Sequence, residues 1–395
     1  MVYLYLSNIQ GVITMNFIVC TYLFLLLNIM LLHAEPQYPV DISYLIADCK
    51  YSKQDGLKIC ELQHGALSAL GGDLCLSGDD GIIAPILADF FDQFPLNKWT
   101  TRSIYSPLQR SLAKKNWNIE QSLQTILHNQ LFLAYADQAP GNKYSIDSYQ
   151  GIVYADSEIV KNSDLYRNQY PGIIFLNAAI LPYWNDKYSM SKLFDKDEEL
   201  KQYKADWRLY PKQYSPDLAA QIQKDMPSEL YVIKPRKETL ANGVIVVSKH
   251  DLDTTLQSIL QPHTQKNLTR EYAYWKTNQD NNFIIEKYYA SDYITTPAHF
   301  NTRYNESNQY DATMRIVFVL EYNNGIMKYH PLGGFWKLPS KSLQEEGTLN
   351  QTRVSCCKPP FYDRIDAHIY QEVNEQMEKA MLLLYDIMLH DHDGI

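Results

Sequence analysis

Hydrophobic and polar positions alternate most cleanly late in the chain. In Thr313–Tyr322, TMRIVFVLEY, residues two apart share one face of a strand, so Met314, Ile316, Phe318 and Leu320 form a wholly apolar side. Arg315, Val317, Val319 and Glu321 form the other, with a cation and an anion at its two ends. The first side belongs in a core. The second is either an ordinary half-exposed face or a place where a ligand lies. Asn323-Asn324-Gly325 is a hairpin turn leading into the strands Ile326–His330 and Gly333–Leu338. A second pair of strands is expected at Tyr231–Lys234 and Val244–Val247, two β-branched runs bounded by Pro and Gly. The polar loop between them has Lys234 at its entrance, Arg236 and Lys237 within it, and Asn242-Gly243 at its exit. It reads as a surface hairpin with solvated charges, or as a short cationic flap over a polyphosphate. In the second case the strand lysine neutralises charge while the loop excludes water.

Upstream, Gly56–Leu62 (GLKICEL), Gly151–Tyr154 and Gly172–Leu176 read as buried strands. Gly81–Phe94 and Asn118–Leu133 read as helices, and Glu35–Asp55 as a linker. Strands alternating with helices from 56 to 180 predict a Rossmann-like unit. Downstream, Tyr183–Phe194 opens a helix and Lys201–Met226 is helix and loop. Leu252–Leu260 is a helix with Asp251 or Asp253 near its N-cap, and Asn282–Ala290 is a strand. Ile365, Ile369, Val373, Met377, Met381, Leu384 and Met388 form the stripe of an amphipathic helix over Ile365–Leu389. The expected fold class is α/β, becoming α+β in the C-terminal part.

Composition narrows the function. A length of 395 residues predicts about two or three domains, and 46% apolar with 21% charged residues describes a globular chain. The net charge of −9 argues against nonspecific nucleic-acid binding, which needs a basic face. The 31 tyrosines supply amphipathic surface and half-buried strand positions without specifying a function.

Phe17–Leu32 is almost unbroken apolar sequence, shorter than the roughly 20 residues of a membrane span. A small residue, Ala34, precedes Glu35-Pro36, which is the pattern of a signal peptide cleaved after residue 34. An uncleaved anchor and a buried helix are the other readings, and Met15 is an alternative start. In an exported chain a disulfide is permitted, with Cys49, Cys60 and Cys75 as the candidates. Cys356-Cys357 are adjacent and cannot bridge each other without strain, and no C-x-x-C pair suggests structural zinc. Sequons stand at Asn267, Asn305 and Asn350.

Two candidate chemistries can be weighed from local motifs. Ser68 and His64 offer a nucleophile and a base, but Ala-Leu-Ser-Ala-Leu is not a G-x-S-x-G elbow. Neither a GxGxxG fingerprint nor a P-loop Gly-Lys-Ser/Thr follows the strand at Gly56–Leu62.

The order of NDKYSMSKLF, YVIKP–loop–GVIVV, FIIEKYY, MRIVFVL and GGFWKLP across Asn185–Leu338 resembles the ATP-grasp superfamily. The resemblance implies a helix-start lysine and a strand lysine on the phosphates of ATP, with a glycine-containing loop closing over them. By this resemblance Lys192 (or Lys187) and Lys234 would hold phosphate, and Gly243 would belong to the flap. Glu286 with Tyr288 would serve adenine, and Asp292 the ribose. Arg315 and Lys337 would hold the transferred phosphate and the substrate. Positioning and positive charge are what loose phosphoryl transfer needs. The family also carries Asp or Glu and then Glu-x-Asn for magnesium. The one Glu-x-Asn here, Glu372-Val373-Asn374 with Asp366 before it, lies in the amphipathic helix. Residues two apart on a helix point about 200° from each other, so these two would not share an ion. The magnesium ligands are then missing, or come from elsewhere, such as Glu321. The terminal His390-Asp391-His392-Asp393 is a loose metal site or a solvated end.

The leader predicts a signal peptide at 1–34 and the strand–helix alternation a Rossmann-like domain at 35–180, while the resemblance implies an ATP-grasp-like module of two subdomains at 181–395. The resemblance implies a ligase joining a carboxylate to an amine or thiol through an acyl-phosphate, with ATP and Mg2+ as cofactors, and the leader implies that it is exported. The partners would be ATP and a small-molecule or peptide carboxylate, with no nucleic acid, and a membrane only through an uncleaved leader. The competing reading is a binding protein that keeps the fold and lacks the magnesium ligands. Delivery into a host cell, or binding without turnover, would reconcile export with the scarcity of ATP outside cells.

Overall fold

The computed structural model describes residues 36–65, 70–102, 106–155, 162–184, 186–237, 241–261, 270–296, 308–356 and 358–391. The expected leader, Ala34, Ser68 and the sequons at Asn267 and Asn305 lie outside them. Two strands come first, β1 (Asp41–Ser52) and β2 (Gly56–His64). A mixed stretch follows: α1 (Gly71–Ser77), α2 (Ile83–Asp92), β3 (Asn97–Thr101), α3 (Ser106–Ala113), β4 (Asn118–Glu120), α4 (Leu123–Leu127), α5 (Gln130–Ala136), β5 (Gly151–Tyr154), α6 (Ser163–Gln169) and β6 (Ile173–Phe175). Next are α7 (Lys187–Phe194), α8 (Glu198–Lys201), β7 (Trp207–Pro211), α9 (Leu218–Asp225), β8 (Leu230–Pro235), β9 (Ile245–Ser248), α10 (Leu252–Leu260), α11 (Arg270–Thr277) and β10 (Asn282–Lys287). The chain continues with β11 (Ile294–Thr296), β12 (Asn308–Tyr310), β13 (Thr313–Asn323), β14 (Ile326–Lys337), α12 (Leu349–Arg353), β15 (Tyr362–Asp363) and α13 (Ala367–His390).

The central sheet is antiparallel, in the order β15-β14-β13-β1-β2. The strand β1, inside the sheet between β13 and the edge strand β2, falls where a linker was expected. All twelve of its residues are buried, so the sequence lacks the alternation that marks a half-buried strand. Its buried charged side chains are paired. Asp41 accepts from Ser43 and Tyr385 at 2.7 Å each, and Lys50 donates to Asp311 at 2.8 Å. One face of the sheet carries Leu45, Ala47, Met314, Ile316, Phe318 and Leu320 and packs on Val373, Met377, Met381 and Leu384 of α13. The apolar side expected for β13 and the amphipathic C-terminal helix therefore meet each other. The other face carries Ile42, Tyr44, Ile46, Val317 and Val319 against Ile83, Leu87 and Phe91 of α2.

A second sheet, β4-β3-β5-β6, is wholly parallel. Ile152 and Ile174 join the core beneath α2, while Trp99, Val153 and Phe175 pack on the side of α4 and α5. Parallel strands covered on both faces define α/β architecture, as expected. This sheet begins at Asn97, however. The strand expected to open it, Gly56–Leu62, lies at the edge of the central sheet beside β1, and β1 pairs on its other side with β13. Asn118–Leu133 is not one helix either. It is a short strand and two short helices, each restarted by a side-chain cap, Ser122 on Thr125 N–H and Asn129 on Leu131 N–H.

The third sheet is antiparallel, in the order β7-β10-β8-β9. Alternation sends Tyr231, Ile233, Ile245, Val247, Phe283 and Ile285 to a core with Ile222, Leu256 and Trp275 on α9, α10 and α11. The opposite face, with Val232, Lys234, Val246 and Glu286, looks onto the end of the central sheet. Ile326–Lys337 is one strand rather than two, with a register irregularity where Val317 and Phe318 face Gly333 and Pro331. Among the described residues no helix is long and apolar enough to cross a membrane. Cys49, Cys60 and Cys75 carry free thiols, so the disulfide considered among them does not form.

Candidate anion-binding cleft

The third sheet and one end of the central sheet enclose a cavity of about 210 Å³. Each wall is set by strand parity. From the central sheet come Asp48 and Lys50 on β1 and Thr313 and Arg315 on β13, with Lys337 ending β14. From the third come Val232 and Lys234 on β8, Val246 on β9 and Glu286 on β10. The start of α7 adds Lys187, and the end of α12 adds Arg353. The helix start is fixed by Asp186, which caps Tyr188 N–H at 3.0 Å and accepts from Arg236 at the base of the flap. A capping box between Thr348 and Gln351 starts α12. Asn350 on this helix accepts from Val246 N–H at 2.7 Å and donates to the Val244 carbonyl at 3.0 Å. This sequon's amide is therefore engaged in the wall of the site.

Three carboxylates at the cleft are each clamped between two cations. Asp48 accepts from Arg315 through both oxygens at 2.8 Å and from Lys337 at 2.8 Å. Glu286 accepts from Lys204 at 2.6 Å and Lys234 at 2.5 Å. Asp311 accepts from Lys50 at 2.8 Å, Arg353 at 2.5 Å and the Tyr288 hydroxyl at 2.7 Å. Burial acts to raise each carboxyl pKa, but the paired cations outweigh it and hold all three below the usual range. The reciprocal effect acts on Lys234. Burial lowers its pKa, and Glu286 more than restores it, so the ammonium stays charged. Burial and the nearby Asp311 charge raise the Tyr288 phenol well above its ordinary value.

Each clamp leaves one positive charge in excess. Eight cationic side chains line the cavity against three carboxylates, Asp48, Glu61 and Glu286. On a chain of net charge −9 this is a local reversal of sign. Cations gathered at low dielectric repel one another and are short of water, so an anion entering the cleft relieves both costs. Ala205, Val232, Val244 and Val246 supply an apolar patch beside the charges.

Of the residues proposed from sequence, Lys234, Glu286, Tyr288, Arg315 and Lys337 line this cavity, and so does the alternative helix-start lysine, Lys187. Lys192 does not. It lies in the last turn of α7 and is exposed. Asp292 is also exposed and accepts from Lys53 N–H at 2.9 Å, at the turn after β1 rather than in the cleft. Gly243 has φ +71° and lies behind the wall. An added Cβ would come within 2.5 Å of Tyr274 and 2.8 Å of Pro235, so the glycine is there for the turn. Ala241 and Asn242 face the cavity instead. The Glu286 carboxylate is fully engaged by two lysines. The amides after it are engaged too, Lys287 N–H with the Asp206 carbonyl (2.8 Å) and Tyr288 N–H with that of Leu230 (3.1 Å). The hinge expected to read adenine thus spends these donors inside the protein.

Asp48, Lys50, Lys204, Asp311 and Arg353 were not foreseen. Asp48 and Lys50 carry one sequence signal, polar residues set into an otherwise apolar run, and Lys204, Asp311 and Arg353 carry none. His64 packs edge-on against Trp184 with ring centroids 4.4 Å apart, as a core residue.

Magnesium does not fit the described residues. No group of three or more His, Cys, Asp and Glu among them could hold an ion, and the cleft's carboxylates are already bound by cations. The alternatives considered from sequence fail on geometry. Glu321 is at the far end of β13, paired with His330 at 2.9 Å. Glu372 accepts from Tyr51 and Asn374 from Tyr329, each at 2.7 Å, on different sides of α13, while Asp366 caps that helix. Residues 392–395, and so half of the histidine–aspartate tail, lie outside the described residues.

No family model matches the chain, and no curated protein matches it. Among solved structures, the chain is similar to a glutathione synthetase-like effector from Globodera pallida, at 14% identity and TM-score 0.38, over 76% of this chain and 73% of that one. It is also similar to a D-alanine–D-alanine ligase from Helicobacter pylori, at 16% identity and TM-score 0.29, over 60% of this chain and 58% of that one. Likeness at this level carries no weight for activity, which rests on the cleft.

Proposed function

We propose that this chain is an ATP-grasp-like protein that binds the triphosphate of ATP in the cleft between the central and third sheets. The observation that carries this reading is the set of three cation–carboxylate–cation clamps converging on one cavity from strands far apart in sequence. Lys187, Lys234, Arg315 and Lys337 are the groups that would face phosphate oxygens. The patch around Val232, Val244 and Val246 would lie against the nucleoside.

In its active form this reading is a ligase. ATP would phosphorylate a carboxylate, and an amine or thiol would then displace phosphate from the acyl-phosphate. The chain's own residues would orient the transferring group and spread its charge over Arg315 and the lysines. The alternative, binding without ligation, is supported by carboxylates that are all tied to cations. We include in the proposal a Rossmann-like role for the parallel-sheet unit and export through the leader, with cleavage after Ala34 checked by N-terminal sequencing of the secreted protein.

Thermal stabilisation by ATP tests the central claim. A shift that rises with the logarithm of ATP concentration and is lost in Lys234→Ala is the expected result. No shift in the folded wild type sinks it. Phosphate release that needs an added carboxylate and a nucleophile together would separate the ligase from the binding protein.

A further inference from the structure

We propose that the cleft recognises a bare polyphosphate chain, free of magnesium and largely indifferent to the base attached to it. The inference rests on the triphosphate reading above and specifies what that site selects.

Two independent sets of contacts carry it. The first concerns the metal. Magnesium is normally shared between ligand phosphates and one or two protein carboxylates. Here Asp48, Glu286 and Asp311 each accept from two cations. The remaining carboxylate of the lining, Glu61, stands 3.4 Å from Lys187. A divalent ion would enter among eight cationic side chains with every neighbouring carboxylate engaged. It would also cancel part of the phosphate charge that those side chains attract. The built-in cations stand where a metal's charge would be needed.

The second set concerns the base. A nucleobase is usually fixed by backbone donors and by an aromatic face. The amides of Lys287 and Tyr288 are bonded to Asp206 and Leu230. The two tyrosines of the wall each carry two cations over the ring. Lys50 and Arg353 lie 5.4 and 5.9 Å from the Tyr288 centroid, and Lys58 and Lys287 lie 5.1 and 5.2 Å from that of Tyr289. These rings hold charge in the cleft where a base would otherwise stack. What remains for a nucleoside is an unselective apolar patch of small side chains.

Isothermal titration of the full chain with inorganic tripolyphosphate, ATP, GTP and adenosine, each in EDTA and in excess MgCl2, tests the inference. In EDTA, tripolyphosphate, ATP and GTP should bind within about threefold of one another, and adenosine should not bind. Excess magnesium should weaken all three, and added salt should weaken them further. Lys58→Ala removes a half-exposed cation and leaves the three clamps intact, so it should fold normally and bind tripolyphosphate several-fold more weakly. ATP binding that requires magnesium, or ATP held more than about tenfold tighter than GTP and tripolyphosphate, overturns the inference and leaves the triphosphate site standing. No binding of any probe in either buffer overturns both.

Discussion

One face of the central sheet does two different jobs along its length. On β1 and β13, Ile42, Tyr44, Ile46, Val317 and Val319 are sealed against α2 and the parallel sheet. One pair further along, where Ile46 opposite Val317 gives way to Asp48 opposite Arg315, the same face becomes the wall of a charged cleft. The change coincides with a register shift against β2 between Asp48 and Cys49. The apolar half fixes the strands, and the charged half inherits that rigidity. Arg315 and Asp48 can therefore keep a two-point pairing geometry that loop-borne side chains would lose to motion.

A charge placed in the apolar half should break this division most severely. Val317→Asp puts an unpaired carboxylate in a sealed core and is expected to cost about 3–5 kcal/mol, read from the urea midpoint. A loss under about 1 kcal/mol would mean that this half is not a core. Arg315→Met in the charged half should cost less, about 1.5–3 kcal/mol, because Lys337 still serves Asp48. It should also weaken tripolyphosphate binding, which the core variant does not address.

Acid titration separates the halves by sign. Asp48, Glu286 and Asp311 have folded pKa values below their unfolded ones. Their contribution to stability is full above the unfolded carboxylate value of about 4 and disappears as pH falls through the folded values. Asp41, at the sealed end of β1, behaves oppositely. Burial above all raises its pKa, against Arg167, Tyr385, Ser43 and the Ala179 amide, so protonation favours the folded state. Denaturation midpoints between pH 7 and 3 should fall with acid in the wild type. Asp48→Asn should flatten that fall, and Asp41→Asn should steepen it. The same response from both variants would abolish the distinction. The smallest effect belongs to Lys192. Lys192→Ala should change stability by no more than about 0.5 kcal/mol and leave anion binding unaltered, whereas Lys187→Ala should weaken binding.

Much of this division is legible in the residues. Period-two alternation assigned the two sides of β13, and the apolar stripe located the long C-terminal helix to within about two residues at each end. Lys234, Glu286, Tyr288, Arg315 and Lys337 were foreseen and do converge. β1 was missed because burial on both faces removes the alternation by which a strand is recognised, and because its Asp and Lys look solvated until their partners are seen. Lys204 and Arg353 come from stretches without periodicity, and only tertiary structure brings them to Glu286 and Asp311. Lys187 and Lys192 lie on the same short helix, and choosing between them required its rotation and the Asp186–Arg236 contact that sets it.

The position of β1 bears on how the molecule is made. Its outer neighbour, β2, follows at once, but the strand on its other side runs from Thr313 to Asn323, with Asp41 opposite Tyr322. During synthesis the first of these partners to leave the ribosome must wait for one made long after it, and a loop of that span is slow to close. Until then a long, mostly apolar edge is open to wrong partners, which are a recognised hazard of late-pairing chains. The charged end of the central sheet is therefore completed only once β13 has been made.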